Sequence, residues 1–94
     1  MDLQLRDKWG LLIKLTKKRI KHIGKHMDLH DKIHFIEETL RFPEILSPDE
    51  EQEGIWYYQR DLREEGLFFI VVVKRKETEG NIITIFKSKR PKQK

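Results

Sequence analysis

The stretch at residues 67–74, Leu-Phe-Phe-Ile-Val-Val-Val-Lys, constrains the fold more than any other part of this chain. It is β-branched and aromatic, and its apolar residues follow one another without alternation. Both of its faces must therefore be covered, which is how a central strand reads. Its apolar core, residues 67–73, is also the longest apolar run present, whereas a membrane-spanning helix needs roughly 20 such residues. No membrane partner is expected. Residues 55–58 (Ile-Trp-Tyr-Tyr) and 81–86 (Asn-Ile-Ile-Thr-Ile-Phe) read as strands on either side. The connections at 59–66 and 75–80 are short enough for antiparallel hairpins.

Upstream the pattern is helical. Thr16 is a good N-cap for a helix over residues 17–26, with Ile20, Ile23 and Met27 on one stripe. Asp28 or Asp31 can cap a second helix running to about Arg41, with Ile33, Phe35, Ile36 and Leu40 as its apolar face; Pro43 stops it. Residues 11–15 read equally as a short strand or a helical turn. Residues 47–54 read as an acidic loop. The expectation is an α+β domain, N-terminal helices packed on a three- to four-stranded antiparallel sheet. It spans residues 1–90 as one domain with 91–94 as a basic tail, and fraying is expected over residues 87–94. The N-terminus alternates charge with leucine and lacks the apolar segment of a signal peptide. With no cysteine among the 94 residues, a cytoplasmic location is expected and thiolate chemistry is excluded.

The formal charge of +4 conceals a segregation. Residues 1–42 carry ten Lys/Arg against six Asp/Glu, residues 43–66 two against eight, and residues 67–94 eight against two. Two basic segments flanking an acidic one suggest a surface for a polyanion. Within the first, residues 14–25 hold six cations and no acid, among them Lys18, Lys21 and Lys25.

All four histidines, His22, His26, His30 and His34, recur at every fourth position. Such spacing can aim two imidazoles at one zinc. The glutamate of a His-Glu-x-x-His motif is missing, since Ile23 follows His22, and no metal is assigned. For His30 and His34 a structural role at helix ends is preferred. His22 and His26 sit among cations, where an imidazole beside a bound phosphate can give or take a proton near neutral pH. That inventory suits RNA cleavage, in which the 2′-hydroxyl loses a proton, the 5′-oxygen gains one, and cations hold the phosphate. No cofactor is required. Trp56, Tyr58 and Arg60 alternate onto one strand face, where aromatic rings and guanidinium groups can stack unpaired bases. Thr84 shares a face with Ile82 and Phe86 in this reading, and Lys87, Lys89 and Arg90 follow at the strand exit.

Taken together, His22-Ile23-x-x-Lys25-His26, a helix ending at Phe42-Pro43-Glu44, a Tyr-Tyr-x-Arg strand, a Val-Val-Val-Lys strand and an Ile-Ile-Thr strand resemble the barnase–EndoU–colicin–RelE-like group of small nucleases. That group includes phage-associated domains and toxins of toxin–antitoxin pairs. The resemblance covers about residues 12–90. It implies a metal-independent endoribonuclease that binds RNA along its sheet, with an acidic antitoxin or immunity protein as a partner. It places the early histidine pair on His22 and His26, the strand Tyr and Arg on Tyr58 and Arg60, the central-strand Lys on Lys74, and the final-strand Thr on Thr84. The expected catalytic set is thus His22, His26, Tyr58 and Thr84. Lys18, Lys21, Lys25, Arg60, Lys74, Lys87 and Lys89 are expected to contact nucleic acid. The alternative is a non-catalytic module that holds RNA or a protein on the same fold. His30, His34 and the acidic residues 50–53 depart from the group's pattern.

Overall fold

A computed structural model describes residues 2–24 and 29–92. Its elements run β1 (Leu3–Arg6), β2 (Leu12–Leu15), α1 (Lys17–Ile23), α2 (Leu29–Arg41), β3 (Ile45–Pro48), β4 (Ile55–Leu62), β5 (Leu67–Arg75) and β6 (Glu79–Ser88). They form one six-stranded sheet in the order β1-β2-β6-β5-β4-β3. All neighbours are antiparallel except β2 and β6, which run parallel through residues 12–14 and 79–81.

This corrects the expectation of helices followed by a three- to four-stranded antiparallel sheet. A hairpin precedes the helices, and the sheet is mixed. Leu3 and Leu5 alternate with Gln4 and Arg6, the period-two signature of a half-buried strand. Gly10, at φ 82°, makes the turn into β2, a backbone conformation that L side chains rarely adopt. Residues 11–15, ambiguous in sequence, become a strand because β6 is there to pair with them. The loop expected at 47–54 begins later, since Ser47 and Pro48 belong to β3, paired with Tyr57 and Trp56.

The central strand is where the apolar run placed it, with β4 and β6 on either side. Its alternate residues Phe69, Val71 and Val73 join Leu5, Ile13, Leu15, Ile23, Ile36, Leu40, Tyr58, Ile82 and Ile85 in the core between sheet and helices. Truncating a side chain such as Leu40, fully buried here, costs about 2–5 kcal/mol in comparable cores. Ile70 and Val72 point the other way and form a second cluster with Ile55, flanked by Tyr57, Phe68, Ile83 and Phe86. The C-terminal segment helps cover that outer face. Gln59, fully buried, donates to the Lys92 carbonyl at 2.6 Å and accepts from the Lys92 N–H at 2.6 Å. Ser47 donates to the same carbonyl at 2.6 Å. The tail is strapped down as far as Lys92, not frayed.

Two local features position the site. Thr16 caps α1, accepting from the Arg19 N–H at 3.3 Å, and Asp2 accepts from the Lys17 N–H at 2.8 Å. The β5–β6 register slips between Val72 and Val73: Val72 faces Thr84 and Val73 faces Ile82, leaving Ile83 as a bulge. A bulge inserts one residue and resets the alternation. Ile82 therefore faces the helices while Thr84 and Phe86 lie on the outer face, correcting the common face expected for the three.

Candidate nucleic-acid interface

Beyond residue 81, β6 loses β2 as a partner, and α1 lies along its free edge. Arg19 donates from Nη1 to the Ile83 carbonyl at 3.2 Å. Between this helix and the β5–β6 end of the sheet opens a cleft of about 530 Å³, lined by Thr16, Arg19, Gln52, Ile55, Lys74, Lys76, Asn81, Ile82 and Ile83. Three of these nine residues are cations, two are amides and one is a hydroxyl. None is a carboxylate. A second hollow, lined by Lys18, Arg19 and His22, adjoins it through the shared Arg19. A region with one sign of charge on low-dielectric walls concentrates counter-ions of the opposite sign.

The structure divides the expected residues. Lys74 lines the cleft, and Lys18 and His22 line the adjoining hollow. Lys21 is exposed on the same helix, and Thr84 is half-buried next to Ile83. His26 and Lys25 lie outside the described residues. Arg60 and Lys87 are on the opposite face of the sheet, flanking Phe69 in register. Arg60 lines a hollow with Glu44, Asp61, Glu64 and Glu65. Lys87 is paired with Glu65 at 2.7 Å, an interaction that also holds the Glu65 carboxyl below its ordinary range. Lys89 is exposed beyond the end of β6. These three do not converge with Lys74.

Tyr58 has no exposed surface. Its hydroxyl donates to Asp7 Oδ2 at 2.7 Å, while Asp7 Oδ1 accepts the N–H groups of Trp9 and Leu11 at 2.9 and 2.8 Å. Burial, and then the hydrogen bond to Asp7, raise the Tyr58 phenol above its ordinary range. Tyr58 is therefore a core residue that ties the β1–β2 turn to the sheet, and it has no route to RNA. Trp56 packs on the same core under the Arg75 guanidinium, 4.7 Å from the ring centroid. The aromatic strand stacks against its own protein.

The cleft residues that sequence reasoning missed are Arg19, Lys76, Asn81 and Gln52. Arg19 lay inside the recognised basic run. Lys76 and Asn81 flank the β5–β6 turn, so the hairpin register brings Asn81 opposite Lys74. Gln52 carried no signal.

Comparison with protein-family models, curated proteins and solved structures finds no match. Among the described residues no helix is long and apolar enough to cross a membrane.

Proposed function

We propose that this chain binds single-stranded RNA in the cleft between α1 and the β5–β6 end of the sheet, and cleaves it without a metal. The observation that carries the reading is the composition of the cleft: Arg19, Lys74 and Lys76 with the Asn81 and Gln52 amides, and no carboxylate among the lining residues. Such a lining suits a phosphodiester, whose negative oxygens take charge-assisted hydrogen bonds from Arg and Lys.

Cleavage needs the 2′-oxygen to lose its proton and attack phosphorus, and the bond to the 5′-oxygen to break as that oxygen gains a proton. The products are a 2′,3′-cyclic phosphate and a 5′-hydroxyl. His22 is the described group assigned to one of the two proton transfers, the other falls to His26, which lies outside the described residues, and Arg19 and Lys74 hold the charge that builds on the phosphate. A second reading, a module that holds RNA without cutting it, is favoured by one observation: the burial of Tyr58 removes a group expected to act on the substrate. An acidic antitoxin or immunity protein would be a polyanion competing for the same cleft.

Purified protein incubated with a mixed RNA pool in EDTA tests both. Cleavage to cyclic-phosphate ends, lost in His22→Ala and weakened together with binding in Lys74→Gln and Arg19→Gln, is the expected result. Salt-sensitive binding without product supports the second reading. Absence of binding overturns both.

A further inference from the structure

The strand register sets one polar residue from each of four strands in a line on the face away from the helices. Gln4 stands opposite Lys14, Lys14 opposite Asn81, and Asn81 opposite Lys74, with Ile55 ending the row. Adjacent strands lie about 4.8 Å apart, so the Lys14 and Lys74 positions are roughly 10 Å apart with the Asn81 amide between them. Asn81 and Lys74 line the cleft. Lys14 and Gln4 continue the row outside it, onto the N-terminal hairpin.

On the opposite side of the cleft, beyond Ile55, stands the loop 49–54. Its Gln52 forms part of the cleft wall, and its carboxylates are Asp49, Glu50, Glu51 and Glu53. The loop is held in place. Asp49 Oδ2 accepts the N–H groups of Glu51 and Gln52 at 3.1 and 2.8 Å, Asp49 Oδ1 accepts the Tyr57 hydroxyl at 2.7 Å, and the Asp49 N–H donates to the Ile55 carbonyl at 2.8 Å. Glu51 and Glu53 adjoin Gln52 in the chain, well within the Debye length of about 8 Å that applies at physiological salt. A polyanion in the cleft thus meets cations toward β2 and, past Gln52, the exposed carboxylates of an anchored loop.

Lys14 has a counter-ion of its own. Its ammonium is 3.0 Å from the Glu79 carboxylate, with the two side chains 36% and 34% exposed. A half-buried pair still open to solvent is weak, and a phosphate can displace the carboxylate.

We infer that an RNA strand held in the cleft leaves it across β6 and β2 toward β1, exchanging Glu79 for a phosphate at Lys14, while the carboxylates of the 49–54 loop bar the opposite route. The inference rests on the cleft being the RNA site. It makes Glu79 a competitor of the substrate: neutralising it strengthens the binding of a strand long enough to reach Lys14 and leaves a shorter strand unaffected.

The test is fluorescence anisotropy with 2′-O-methyl oligouridylates, which lack the attacking hydroxyl, in two lengths of about three and about ten nucleotides. The longer probe binds wild type more tightly. Lys14→Gln removes one phosphate contact, lowering the salt slope of the longer probe by about 0.7 and its affinity about fivefold near 0.1 M salt. Glu79→Gln raises that affinity. Neither variant changes the shorter probe, and Glu37→Gln, the same charge change on α2, changes neither. Equal affinity of the two lengths, or a longer probe indifferent to Lys14→Gln and Glu79→Gln, overturns the route and leaves the cleft standing. A gain from Glu37→Gln equal to that from Glu79→Gln overturns the counter-ion exchange, because net charge alone then suffices. Failure of both probes to bind wild type overturns the cleft reading and the route together.

Discussion

Replacing Tyr58 by Phe separates a structural role from a catalytic one. The substitution deletes one oxygen and keeps the ring, so the packing in the core is preserved. What is lost is the 2.7 Å hydrogen bond to Asp7 Oδ2. Asp7 is itself only 4% exposed, so water cannot readily replace the missing donor. A hydrogen bond to a charged group contributes about 1.5–3 kcal/mol, and we take about 2 kcal/mol. For a domain of this size each kcal/mol moves the melting temperature by about 4–8 °C, which gives a fall of about 8–16 °C. Thermal unfolding followed by circular dichroism reads it directly. Asp7→Asn keeps an oxygen for the turn amides but sets its own amide, a second donor, against the phenol, so the buried Tyr58 O–H loses its acceptor and a fall of similar size is expected. The combination Asp7→Asn/Tyr58→Phe isolates the coupling between the two. In the RNA assay, activity per folded molecule is unchanged in Tyr58→Phe. A melting temperature within about 2 °C of wild type would refute the reasoning, and lost cleavage at unchanged stability would return Tyr58 to the substrate.

Alkaline pH provides a second check. The hydrogen bond to Asp49, then burial, push Tyr57 up to about 12 from an unfolded value of 10.0. A pKa raised by folding gives stability that is complete below pH 10 and is lost as pH rises through about 12. The phenolate absorbance of the folded protein therefore lags that of free tyrosine, and denaturant midpoints fall across that window; a phenolate signal already about a quarter developed at pH 10, as one of the two tyrosines titrating at its ordinary value would give, would contradict the Tyr57–Asp49 bond. A third prediction concerns Gly80→Ala. A Cβ there would lie 2.8 Å from Val73 Cγ1, 2.9 Å from Ile13 Cδ1 and 3.3 Å from the Lys74 carbonyl oxygen. Overpacking of this kind costs about 1–3 kcal/mol, and hydrogen exchange quickens in β2 and the start of β6; an unchanged midpoint in urea would show that the junction has slack.

The strands legible in the sequence are those whose partners are local. Residues 67–74 and 81–86 declared themselves through β-branched content and short connections, and Thr16 announced the start of α1. The N-terminal hairpin was hidden because β1 and β2 have four residues each, so the alternation of Leu3 and Leu5 with Gln4 and Arg6 is too short to stand out until the pairing with β2 is seen. The partner that stabilises β2 is β6, far along the chain, and no local pattern encodes a parallel pairing of three residues. The same limit governed the site. Lys74, His22 and Thr84 were identified as candidates from sequence. Their separation from Arg60 and Lys87 depended on which side of the sheet each residue faces. The Ile83 bulge, which no residue type signals, decided that for Thr84. Tyr58 was misread because Asp7, 51 residues away, is what makes a buried phenol acceptable.

The parallel junction of β2 with β6 has a consequence for how the chain is made. Sixty-four positions separate Leu15 from Glu79. At a synthesis rate of about 5–20 residues per second, β2 emerges roughly 3–13 seconds before the strand that completes its hydrogen bonds. Until then the hairpin has an open edge, the kind of surface on which growing chains aggregate. Loop closure over such a distance also slows the final step. The sheet is therefore completed late, and its N-terminal hairpin depends on whatever shields it in the meantime.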